Sequence, residues 1–246
     1  RGTSSSSGAI VLRTKNAGTN GVSGVVSFKS GTASSGSSGH IAILSGQASG
    51  TGSKPGQVTL SSGDTSSGEG AGSIAIRGSD SSDNGRIGGL VKLIAGSTGG
   101  AGVSGAPMTI QSGESGQVTG GHTSLVSGVG SSKSSGSLVI KTSDSGSSGV
   151  SGDLAMTTGV SSNGASGALL IASGTATGGK GGAVALEGGS GNTGAGGSVH
   201  ITAGAASAGN NYGGDVIIGG GRGSHSASGK GGHIILNGAI GNGRTG

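Results

Sequence analysis

The residues through which this chain could do chemistry are five histidines, nine carboxylates and one lysine-bearing glycine loop. In the repeating frame set out below, His40 and His122 hold the same place but lie five repeats apart, roughly 24 Å at the spacing of stacked strands. They cannot share an ion; His200 sits at the third place of its repeat, His225 in a connection and His233 one repeat beyond His200's neighbour, so a metal centre is not expected. Gly174-Thr175-Ala176-Thr177-Gly178-Gly179-Lys180-Gly181 comes closest to a phosphate loop. It puts glycine where Ser or Thr would hold magnesium, and its composition predicts no following helix to receive the phosphate. The acidic residues Asp64, Glu69, Asp80, Asp83, Glu114, Asp144, Asp153, Glu187 and Asp215 are singles, with Asp80 and Asp83 the one close pair. Calcium-binding β-rolls need an aspartate in each turn, and that supply of oxygen ligands is missing. Serine is abundant, yet it alternates with glycine by composition and meets no convergent base or carboxylate pair, so no enzyme and no cofactor are expected.

The elements that would have to position such residues are copies of one short unit. In Gly197-Ser198-Val199-His200-Ile201-Thr202-Ala203-Gly204 a glycine (position zero) is followed by apolar residues at positions two and four, then a small residue and a second glycine. The frame recurs fifteen times at 15–18 residues, from Gly8 through Gly24, Gly39, Gly56, Gly72, Gly89, Ala106, Gly121, Gly136, Gly152, Gly167, Gly182, Gly197 and Gly214 to Gly232. Position two is apolar in every copy but one, which has Thr123, and position four is apolar in all. Two places apart is the strand period, so Ile41 and Ile43, Ile74 and Ile76, Val199 and Ile201, and Ile234 and Leu236 are expected to form a core ladder on one face.

Between these units run eight to ten residues drawn mostly from Gly, Ser, Thr, Ala and Asn, in which glycine can supply the positive φ of tight corners and Asn-Gly pairs mark turns. Connections of this length can return the chain so that each strand stacks parallel on the last. The pattern therefore predicts an all-β fold: a β-solenoid of about fifteen rungs, roughly 70 Å long, with residues 1–246 as a single repeat array. An antiparallel meander would more naturally use shorter hairpin loops. Position three is apolar in many copies, as at Val11, Val139, Leu170, Ile217 and Ile235. This second face is too dry for a solvated strand and is expected to pack laterally against another rod. Neither end carries a distinct cap or an initiator methionine, which predicts an excerpt of a longer array or rods joined end to end.

Composition bounds the partners. The chain holds 64 glycines in 246 residues, two aromatics, no cysteine and a formal charge of +5. Without aromatics to stack on bases or a basic run, nucleic-acid binding is not expected. No apolar run approaches the roughly 18 residues of a membrane span. The dispersed positive charge leaves a weak attraction to an anionic polysaccharide or a mineral surface. No Asn-x-Ser/Thr acceptor is present, while exposed Ser and Thr leave O-linked modification open.

The Gly-x-apolar-x-apolar frame with its Ser/Gly-rich connections resembles extracellular β-solenoid fibre and adhesin repeats over the whole chain. The resemblance implies a secreted or surface-exposed structural protein that self-associates into a filament or bundle. The alternative is an ice-binding or surface-adhesive module. It has the coil length of such solenoids but lacks their regular threonine array, since positions three and five mix Lys, Arg, Glu, His, Ile, Val, Ser and Thr.

Overall fold

The computed structural model describes residues 7–66, 70–81, 86–99, 102–207, 209 and 211–238. Among them there is neither a helix nor a strand, only extended segments joined by turns and bends. The β-solenoid, with its stacked repeat rungs, is therefore corrected to an irregular, coil-dominated chain. The cause is visible in the hydrogen bonds. Among the described residues the backbone pairs once at the foot of eight loops and once in each of three tight turns, and the extended segments between carry no ladder. A strand assignment needs successive inter-strand bonds, and an alternating apolar pattern supplies the preferred face without supplying the partner strand.

Burial agrees. The chain exposes 24217 Å². A folded chain of 22.3 kDa would expose about 9,400 Å² and an extended one about 32,000 Å². The observed surface lies nearer the unfolded end, and no described side chain, apolar or polar, is buried. Sixty-four glycines raise the entropy lost on ordering, and side chains of one or two carbons in the connections return little apolar area.

The chain divides into two units, Arg1–Ser124 and Leu125–Gly246. In the first, turns or bends occur at 19–20, 34–36, 50–52, 66, 102 and 116–118. Loop feet are closed by Gly72 N–H to Gly63 O (3.2 Å), Gly89 to Ser79 (2.7 Å), Ala106 to Gly96 (3.0 Å) and Gly121 to Gly113 (2.9 Å). In the second, turns or bends occur at 131–133, 147–148, 162–164, 177–179, 192–194, 209 and 226–228. Its loop feet are Gly136 to Gly128 (2.9 Å), Gly197 to Gly189 (2.8 Å), Gly214 to Gly204 (2.9 Å) and Gly232 to Gly221 (2.8 Å). In all eight the donor is position zero and the acceptor is position seven of the preceding copy of the frame.

The small residue at position six explains why that foot closes. Cβ atoms of Ser62, Ser112, Ser127 and Ala203 lie beside the position-zero glycines Gly72, Gly121, Gly136 and Gly214, all at closed feet. Where position six is itself glycine, at Gly78, Gly188 and Gly220, the backbones come closer still, and an added Cβ would strike the carbonyl of Gly89, Gly197 or Gly232. Positive φ is confined, among the described residues, to Gly52 (77°), Gly102 (76°) and Gly209 (66°). Gly52 is the third residue of a turn closed by Ser53 N–H to Gly50 O at 3.0 Å, the place where such a turn requires the left-handed region. Of the Asn-Gly turns expected from sequence, Asn20-Gly21 and Asn163-Gly164 fall in a turn and a bend, Asn237-Gly238 does not, and Asn84-Gly85 and Asn242-Gly243 lie outside the described residues.

Candidate functional site

The residues with reactive side chains remain scattered. Among the described residues no three His, Cys, Asp or Glu side chains are grouped to hold a metal ion. His225 is engaged locally: its Nδ1 lies 3.4 Å from the Ala227 amide and 3.2 Å from Ser228 Oγ, while its carbonyl accepts from Gly229 N–H at 3.0 Å. These contacts hold a loop tip in which Gly223 and Gly229 approach backbone too closely to admit a Cβ. The phosphate-loop-like stretch 174–181 is a bend at 177–179 whose foot is held by Ser173 Oγ donating to Gly182 O at 2.9 Å.

Arg77 is ion-paired to Asp80, with side chains 75% and 82% exposed respectively, a solvated pair of small energetic value. Asp83, the sequence neighbour of Asp80, lies like Glu69 outside the described residues. An open depression of about 390 Å³ is lined by four consecutive residues, Arg13, Thr14, Lys15 and Asn16. Thr14 Oγ1 is already committed to Gly24 O at 3.1 Å. The depression is the side of one bend rather than a convergence of distant groups, and it lacks the features of an enclosed ligand pocket.

What the structure does place in order is apolar surface. The eight residues expected as a core ladder, Ile41, Ile43, Ile74, Ile76, Val199, Ile201, Ile234 and Leu236, are exposed, from 46% at Ile74 to 86% at Leu236. They form no buried core, which corrects that expectation within the single chain. Val11, Val139, Leu170, Ile217 and Ile235, expected to pack laterally, are more open still, between 71% and 86%. From the second copy of the frame onward, the apolar residues at position two are the more shielded column, between 45% at Val26 and 58% at Leu169. At the loop foot position six of one copy lies near position zero of the next, and at one foot it reaches position two.

Thr123 shows this directly. It is the one polar residue at position two, and its Oγ1 lies 2.5 Å from Ser112 Oγ at position six of the preceding copy. A hydroxyl is accommodated there because it has a hydroxyl to meet. Sequence reasoning noted the small residue at position six but not its contact. The signal was the restriction of that column to Ser, Thr, Ala and Gly across all fifteen copies.

No family model matches the chain, and no curated protein or solved structure is similar to it. Among the described residues no helix is long and apolar enough to cross a membrane.

Proposed function

We propose that this chain is a structural protein that associates with copies of itself, and that its exposed apolar columns are the surface it uses. The observation that carries the reading is that an apolar residue recurs at positions two and four in nearly every copy, yet no described apolar side chain is buried. Exposed apolar surface on this scale marks an interaction surface. The extended segments add a second drive, because their backbone donors and acceptors make few bonds within the chain and seek partners. A second copy offers the same columns at the same spacing, so matched segments bury like against like.

The likeness of the frame to extracellular fibre repeats supports placing the protein at the cell surface or outside it. Its charge of +5 suits an anionic polysaccharide or mineral as a secondary contact. The reading is tested by sedimentation velocity over a hundredfold range of concentration. Growth from a 22.3 kDa species to large assemblies is the expected result. A single unassociated species throughout, with thermal hysteresis in ice, would transfer the surface to the ice-binding alternative.

A further inference from the structure

The extended segments carry charge in a segregated order, and from it we infer which parts of two copies meet. Positions one, three and five alternate with the apolar columns. On them Arg13, Lys29, Arg77, Lys92 and Lys141 are followed by Asp153, Glu187 and Asp215, with no Asp or Glu before the break and no Lys or Arg after it. All eight are exposed, and among the described residues Arg77 alone of them has an ion-pair partner, Asp80. Positions zero, two, four and six hold no charged residue in any copy, so every charge of a segment lies on the odd-numbered face, together with the exposed apolar residues Val11, Val139, Leu170, Ile217 and Ile235.

The occupant of this face is a second copy of the chain, its segments from Asp153 onward lying against the first copy's segments up to Lys141. The inference rests on the self-association proposed above and adds its register. A partner covering that second face brings its charges into contact, where like charges oppose association and opposite charges favour it. Pairing first-half segments with first-half segments would set Lys and Arg against one another. Pairing opposite halves sets them against Asp and Glu. At 0.1 M salt the screening length is about 10 Å, so these charges act at contact and select register rather than attracting from afar.

Two full-length variants test this by charge exchange. The first carries Asp153→Lys, Glu187→Lys and Asp215→Lys, which leaves no acid on these positions; the second carries Arg13→Glu, Lys29→Glu, Lys92→Glu and Lys141→Glu, which leaves the ion-paired Arg77 as the one Lys or Arg on them. Each alone is expected to need roughly tenfold more protein than the wild type for half-maximal light scattering at low salt, and an equimolar mixture is expected to recover wild-type assembly. A mixture that assembles no better than its components overturns the inference, as do variants that each assemble like the wild type. If the wild type itself stays monomeric, the self-association reading fails as well, so the two failures are told apart.

Discussion

Replacing Leu170 by alanine removes apolar surface that the isolated chain does not use. Leu170 is 85% exposed, so nearly all of its side chain is still available for burial by a partner. Truncation deletes three carbons at about 0.8 kcal/mol per methylene. Scaled by that exposure, the loss on association is about 2 kcal/mol per contact formed, or roughly 30-fold in the association constant. The monomer is expected to be unchanged, because no neighbour loses a buried contact. The assay is sedimentation velocity as a function of concentration, with circular dichroism on the dilute chain as the control. Ile217→Ala, at the same place in its own copy and 86% exposed, is expected to shift assembly by a similar factor. Lysine at either position is expected to weaken assembly further by burying a charge. Unchanged assembly in Leu170→Ala and Ile217→Ala alike would refute the claim that position three is covered by a partner.

Other outcomes follow from the loop feet. Gly188→Ala places a Cβ against the Gly197 carbonyl and is expected to open the Gly197 N–H to Gly189 O bond, now 2.8 Å; amide exchange at Gly197 should quicken by up to roughly tenfold, the worth of one such bond. Gly52→Ala imposes a side chain on a residue at φ 77°, costing about 1 kcal/mol. Its readout is loss of protection at the Ser53 amide, and an unaltered amide would remove the turn assigned there. Thr123→Val keeps shape but deletes the 2.5 Å contact with Ser112. Faster exchange or a changed Ser112 hydroxyl environment by NMR is expected at that foot alone, whereas a change spread along the chain would argue for a shared core.

The frame itself was legible in the sequence, because alternation of apolar residues between glycines depends only on side-chain type. What covers those residues was not. Ile201 and Val199 read as one apolar face whether that face meets the next rung of the same chain or another molecule, since periodicity reports orientation and not partner. The solenoid followed from supplying the nearest partner, the adjacent copy, and the absence of a backbone ladder among the described residues removes it. The loop feet were half legible. Ser112 and Ser173 announced themselves as small residues before glycine, but their bonds to Thr123 and to the Gly182 carbonyl depend on the path of the connection between. Glycine was expected to act through positive φ, and Gly78 and Gly188 act instead through close backbone approach. The charge order from Arg13 to Asp215 was present in the sequence throughout, but took on meaning only once the apolar residues at position three were seen to be uncovered.

The central claim is that the apolar segments are covered by another copy and not by the chain's own fold. Amide exchange of Val199, His200, Ile201 and Thr202, followed from a dilution where sedimentation shows a single chain up to assembled protein, tests it most directly. The account predicts exchange near the free-peptide rate when dilute, because none of these amides has a hydrogen-bond partner among the described residues, and at least roughly a hundredfold slower exchange on assembly, the slowing that follows when opening a segment costs about 3 kcal/mol. Strong protection of the same four amides in the single chain would contradict it, for they would then be held within one molecule.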